Sequence, residues 1–578
     1  MIEDRIKTAT KQIKADLIIS NINIVDVFNL ECYVSDVAIK DGYFVGIGDY
    51  KGEGIIEIDG TGKTIIPGYV DAHVHIESSM VTPIQYSNEI LPFGVTSVIA
   101  DPHEIANVSG VDGIKYMIDM AKYVPLDVYI MLPSCVPATS YERGGAILTA
   151  KDLKPLYNEE NVIGLAEVMD FPSVLSCNKD MLEKIQNAKE RNYTVDGHCS
   201  SFNINMLNAY ATAGIMTDHE AISGEEMIQR SRRGIHTLVR YGSVCRDLPN
   251  ILPSINERNH RLLCFSTDDK HIDELTTFGG VNHNVKLAIQ GGLDPIIAIS
   301  IATYNTCACY KLYEKGAIAP GFIADFSIVD NVKDLNILDV YKNGKLVVKN
   351  KTLINKISTN ICSKPEKLVS SINMKKISKD DLAIDMKGYS KANVIEVIND
   401  GIVTKKSIEK VSVNSEGYFE VNVQKDQQKI VVIERHNKTG NIGKGILKGL
   451  KLEEGAIATT ISHDSHNLIV VGTNDNDMLK AIDAIKQMQG GIVIVNNNEV
   501  LASINLEICG LITTDDSRAV IDNLNHVNKM IKKIAPKVEI NPLLTLSFMS
   551  LVVIPEIKVC ERGLFDFSRL DFIDIYSE

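Results

Sequence analysis

The sequence predicts an α/β molecule: a (β/α)8 TIM-like barrel, a small β-sandwich built from the segments flanking it, and a C-terminal α+β domain. Three observations lead there. Eight short apolar runs between residues 64 and 269 end in polar residues and alternate with helical stretches. That is the pattern of parallel strands buried on both faces and joined by crossover helices. Strand-like alternation lies on both sides of this region, and 578 residues exceed one ordinary domain.

The elements follow in order. The opening "MIEDRIKTATKQIKADL" is charged and helical in pattern, without the apolar core of a signal peptide. "ADLIISNINIVDV" (15–27) and "DVAIKDGYFVGIGD" (36–49) alternate as strands, with Lys-Asp-Gly at 40–42 as a hairpin turn. The eight barrel runs occupy 64–73, 95–103, 127–134, 162–170, 193–198, 214–220, 235–243 and 261–269. "KGAIAPGFIADFSIVD" (315–330) and "DVYKNGKLVVKN" (339–350) return to hairpins. We therefore expect 1–64 and 315–355 to form one composite β domain around a barrel of 65–314. A Ser/Lys/Asn-rich linker lies near 355–375. Residues 370–578 form the α+β domain, with strands at 418–423, 429–435, 456–461, 467–472, 490–496 and 502–508 and helices at 475–488 and about 517–535.

Composition narrows the function. With 45% hydrophobic and 23% charged residues, the chain can bury a large core. A net charge of −14 disfavours nucleic acid and anionic membranes as partners and suits a cationic or neutral small molecule. The eleven cysteines form no C-x-x-C pair, so they read as reduced thiols of a cytoplasmic protein, Cys307 and Cys309 among them packed on a helix. "LLTLSFMSLVVIP" (543–555) is too short and interrupted to span a bilayer and reads as buried strand. "GNIGKG" (440–445) lacks G-K-[ST] and reads as a Gly-rich turn. "SHDSHN" (462–467) reads as a loop, with an approach to the barrel mouth from the tail as the alternative.

Chemistry in such a barrel sits at the C-terminal ends of the strands. The first run ends in "IIPGYVDAHVHIESSM" (65–80), placing His73 and His75 on one side of the strand. The fourth run ends in Glu167, the fifth in His198, the sixth in His219 and the eighth in Asp268. A single histidine at a strand end is usually a hydrogen-bonded surface or core residue, and H-x-H alone is weak. Five of eight strand ends carrying ligand-type residues point to a metal site built from imidazoles and carboxylates. Glu77, Glu104 and Glu220 lie near strand ends as proton donors or as groups orienting a ligand. His103 and His271 read as groups orienting a ligand, as substrate contacts or as ordinary loop residues, and Asp101 as an acceptor of a hydrogen bond from a ligand. Asp218 either accepts a hydrogen bond from a ligand or caps the following helix.

These residues resemble a family. D-x-H-x-H in "PGYVDAHVHIESSM" is the signature of the amidohydrolase superfamily. Its extension, with "ADPHEIANVSG" (100–110), "EVMD", "DGH", "TDHE" and "STDDKHIDEL" (266–275), is similar to the bacterial-type adenine deaminases over nearly the whole chain. The resemblance implies hydrolysis of adenine to hypoxanthine and ammonia by a metal-bridged hydroxide, in purine salvage. It implies two divalent ions per subunit, Mn2+ or Fe2+ before Zn2+, held by His73, His75, Glu167, His198, His219 and Asp268. Glu167 stands where many relatives carry a carboxylated lysine, and Asp268 takes the role of proton shuttle. The expected partners are adenine and further copies of the chain in a homo-oligomer. One position departs: "GGVNH" (279–283) has Gly280 where a histidine is expected, while His283, a candidate substrate contact, remains.

Other readings compete. The same barrel serves cyclic amidases and sugar deacetylases, and a lysine at 167 would have favoured the former. A non-catalytic relative would have lost ligands, and here they are complete. The H-x-E…P-C-x-x-C signature of the zinc nucleobase deaminases is absent.

Overall fold

A computed structural model of the chain describes residues 2–362, 364–398 and 402–578. The eight apolar runs each form a strand, and all run parallel. Tyr69–His75, Val95–Ala100, Asp127–Leu132, Val162–Val168 and Thr194–Gly197 make one ladder; Thr217–Asp218, His236–Arg240 and Leu263–Ser266 make a second. The Met216 N–H donates to Val195 O at 2.9 Å across the seam between them. Asp268 and Asp269 pair with Val74 and His75 and close the ring. The strands are buried on both faces, which is why they read as continuous Val/Ile/Leu runs.

The flanking segments form one nine-stranded sheet that folds over a shared core, with Phe44 packed on Phe326 at 5.6 Å between ring centres. Thr64–Pro67, the strand entering the barrel, lies parallel to Ala15–Asp26 and antiparallel to Phe326–Val329, the strand leaving it. The hairpin at 40–42 has Asp41 and Gly42 at φ 51 and 77, as a two-residue turn between twisted strands requires. Below the barrel, the Lys315 and Lys342 ammonium groups donate to Asp127 and Asp325, binding this sheet to the third barrel strand.

The tail carries a second nine-stranded sheet, with helices Asp475–Met488 and Ser517–Ile534. Its strands Ala456–Thr459 and Leu468–Gly472 pair antiparallel, so residues 460–467 form the connection between them. Three local expectations change. Residues 543–555 contain the short helix Pro542–Ser547 rather than a strand, because Asn541 caps it and Pro542 starts it. Of 418–423, Phe419–Glu420 forms a strand, and a 3-10 turn follows at Val423–Lys425. The Gly-rich stretch turns at Gly440 and then enters the strand Ile442–Lys448. One apolar core runs from barrel into tail, with Val81, Ile105 and Ile272 in the same cluster as Ile492, Leu511 and Leu546. No helix among the described residues is long and apolar enough to cross a membrane.

Candidate metal and active site

The first barrel strand sends His73 and His75 into the mouth, where their Nε2 atoms lie 3.1 Å apart. His75 Nδ1 is 3.0 Å from the Asp101 carbonyl. A carbonyl only accepts, so Nδ1 carries a proton, and Nε2 faces inward. Glu167, ending the fourth strand, occupies the centre. Its Oε1 lies 3.8 Å from His73 Nε2 and 3.5 Å from His75 Nε2. Its Oε2 lies 2.7 Å from His198 Nδ1 and 3.2 Å from His219 Nε2. One carboxylate thus reaches four imidazoles, with His73 stacked on His219 at 4.3 Å between ring centres. Asp268 Oδ1 completes the first side, 3.1 Å from His75 Nε2. Asp268 itself sits at φ 56, a left-handed turn that ends the eighth strand.

Hydrogen bonding alone does not account for this cluster. Several imidazole nitrogens converge on the same points, and the Nδ1 atoms of His73 and His219 are buried with no partner among the described residues. Three groupings, His73/Glu167/His219, His73/His75/Asp268 and His198/His219/Glu220, each bring their donor atoms within 4.8 Å of one another. Nitrogen and oxygen donors in this proportion fit divalent manganese, iron or zinc.

Electrostatics favours charged carboxylates here. Burial pushes the Glu167 carboxyl up, but His219 and His198 outweigh it and hold the group well below the usual range. Burial likewise opposes ionisation of Asp268, and is outweighed by the hydrogen bond to His75 and by Arg240. Burial and the neighbouring His219 and His75 press His73 well below its ordinary value, toward the neutral form a metal needs.

The remaining expected residues divide. His103 stays close, with Nδ1 2.9 Å from Asp101 Oδ2 and 3.4 Å from Glu167 Oε1. Glu77 is buried; its Oε1 accepts from Ile105 N–H at 3.2 Å, and its Oε2 has no partner among the described residues. Glu220 pairs with Arg240 and faces His198 and His219 at 4.0 and 3.6 Å. Glu104 is held on both oxygens, by His463 Nδ1 at 2.6 Å and by His466 Nε2. His271 precedes the helix Ile272–Phe278 and lines a cavity beside the mouth.

Asp218 does not cap the next helix, whose cap is Ser223. It accepts from the Cys199 N–H and from Arg230, fixing the backbone just after His198. His283 lies apart from the cluster, stacked on Phe278 at 4.9 Å, because its helix Val281–Gln290 packs outside the strands. Gly280 sits against Val95 and Asp71, so the expected histidine's absence leaves the ligand cluster intact.

Sequence reasoning missed Arg240. It ends the seventh strand, donates to Glu220 and to Asp268 Oδ2 (3.1 Å), and reaches Asp247 Oδ2 at 3.0 Å. Its signal was a cation closing the buried run "HTLVR". For His463 and His466 the alternative reading holds: the loop of the tail comes onto the barrel, where both meet Glu104.

Comparison with known proteins supplies the decisive observation. Residues 64–347 match the "Amidohydrolase family" and residues 401–571 the "Adenine deaminase C-terminal domain". The adenine deaminase of Geobacillus kaustophilus is 47% identical, covering 99% of both chains. That of Halalkalibacterium halodurans is 45% identical over 100% of this chain and 99% of its own. That of Bacillus subtilis is 43% identical over 99% of each. The chain belongs to the adenine deaminase family. The amidohydrolase match contains every barrel residue of the cluster, from His73 to Asp268, and the adenine deaminase C-terminal match contains both His463 and His466.

Proposed function

We propose that the barrel mouth hydrolyses adenine to hypoxanthine and ammonia, with Glu167 among the residues that would hold a pair of divalent cations there. The observation that carries this is the division of the Glu167 oxygens, one toward His73 and His75, the other toward His198 and His219. His73, His75, Glu167 and Asp268 would hold one cation, and Glu167, His198 and His219 the other. Bound there, manganese or ferrous ions, or zinc, supply Lewis acidity and a water of lowered pKa.

The chain's own groups do the rest. Asp268 takes a proton at its carboxylate from the water attacking C6 and returns it to the departing amine. Arg240, 3.1 Å from Asp268 Oδ2, keeps that carboxylate ionised and fixed between transfers. Glu77 is assigned the proton for the purine ring nitrogen. Of the three candidate glutamates, Glu104 has both oxygens engaged and Glu220 is paired with Arg240, whereas Glu77 Oε2 has no partner among the described residues. Burial and the nearby Glu104 push the Glu77 carboxyl up to about 7, which suits a donor. Water attack and loss of ammonia conserve the purine ring, so a cyclic-amidase or deacetylase role is not needed for this site.

Eleven unpaired cysteines support a cytoplasmic location, and self-association into a homo-oligomer belongs to the same reading. The test is to load purified protein with Mn2+ and offer adenine, adenosine and dihydrouracil. Ultraviolet spectra should show adenine alone converted, with ammonia released in step. Turnover of dihydrouracil without turnover of adenine would overturn the assignment.

A further inference from the structure

The tail connection between Ala456–Thr459 and Leu468–Gly472 comes down over the barrel mouth, and its two histidines differ in what they have left to offer. His466 is fully engaged: Nε2 holds Glu104, and Nδ1 accepts from Ser462 N–H at 3.2 Å. His463 is half engaged. Its Nδ1 is 2.6 Å from Glu104 Oε1, while its Nε2 has no partner among the described residues. Phe548 stacks on the ring at 4.4 Å between centres and 19° between planes, so the imidazole is fixed in direction. The ring lines a cavity whose barrel wall is Ser78, Asp269 and His271 and whose tail wall includes Leu543 and Leu544. Next in the chain, Asp464 is buried, and its Oδ2 has no partner among the described residues.

We propose that this tail segment is the roof of the adenine site and that His463 touches the purine through Nε2. The inference rests on the barrel mouth being the place of deamination. A cavity with leucines on one wall and imidazole and carboxylate edges on the others suits a nitrogen heterocycle. Glu104 is then a latch between barrel and tail. His466 serves only the latch, and His463 serves the latch and the substrate together.

This difference makes the test. Asn at 463 reproduces a donor at the Nδ1 position and lacks Nε2. In the metal-loaded full chain, His463→Asn should raise KM for adenine and Kd for hypoxanthine about tenfold or more, the cost of one lost hydrogen bond in a buried site. Bound metal and melting temperature should match the parent. His466→Ala should lower the melting temperature and change KM by less than about threefold. If His463→Asn binds hypoxanthine as well as the parent does, or if both variants shift KM alike, the roof contact is wrong. Should His463→Asn not fold, photolabelling of the parent protein with 8-azidoadenine decides. Label on the 459–467 or 541–548 peptides supports the proposal, and label confined to barrel peptides overturns it. Hypoxanthine binding and labelling read the roof even if the parent fails to turn over adenine, so failure of the activity and failure of the contact are distinct results.

Discussion

A glutamate at position 167 reaches four imidazoles at once because it ends a strand at the centre of the mouth, Oε1 nearer His75 and Oε2 nearer His198. That chemistry was legible in the sequence, since each ligand ends an apolar run and strand periodicity turns His73 and His75 the same way. Arg240 was not, because the same run reads equally as a strand leaving the core. The division of labour among the three glutamates was not legible either, as it depends on which oxygens find partners. It leads to a prediction at this scale. Glu77→Gln should lower kcat for adenine by about a hundredfold or more, with bound metal unchanged, as expected when a general acid is lost. Steady-state kinetics beside metal analysis checks it, and a kcat within about threefold of the parent would remove Glu77 from the mechanism.

At the scale of elements, parallel strands announce themselves because burial on both faces demands an unbroken apolar run. Segments whose structure depends on distant neighbours do not. The apolar tract at 543–555 reads as a strand until Asn541 and Pro542 start a helix within it. "SHDSHN" reads as any polar loop until the sheet reversal lowers it onto Glu104. The join between flanking sheet and barrel offers a sharper prediction. Asp325 is buried between Lys315 and Lys342 and also accepts from Asn343 N–H at 2.7 Å. Burial raises its pKa, but the two lysines outweigh that and hold it below the unfolded value. A group depressed in the folded state stabilises above its unfolded pKa of about 3.9, and that stability is lost as pH falls through the folded value. Asp325→Asn should therefore cost about 3–5 kcal/mol near neutral pH, where it leaves buried lysines short of a partner. The gap from the parent should shrink below about pH 3. Urea unfolding at both pH values measures it, and a gap independent of pH would contradict the ion-pair account.

On the scale of the whole molecule, barrel and tail share one apolar core and several direct hydrogen bonds. Thr513 N–H donates to Met80 O at 2.9 Å, and Gln85 Nε2 donates to Asp515 O at 2.7 Å. Calorimetry should accordingly give one transition for barrel and tail together, and two well-separated transitions would show that the shared core does not couple them. Removing metal with a chelator should lower the melting temperature, because cations that bind only the folded chain stabilise it by mass action. Glu167, placed among all four imidazoles, is the residue on which the proposed deamination of adenine most depends. The most direct measurement follows adenine's ultraviolet absorbance with Mn2+-loaded parent and Glu167→Gln protein, with bound metal determined on the same samples. The parent should convert adenine to hypoxanthine and hold two ions per chain, and the variant should hold fewer and retain less than about a thousandth of the rate. A Glu167→Gln protein that keeps both ions and turns over adenine within about tenfold of the parent would contradict it.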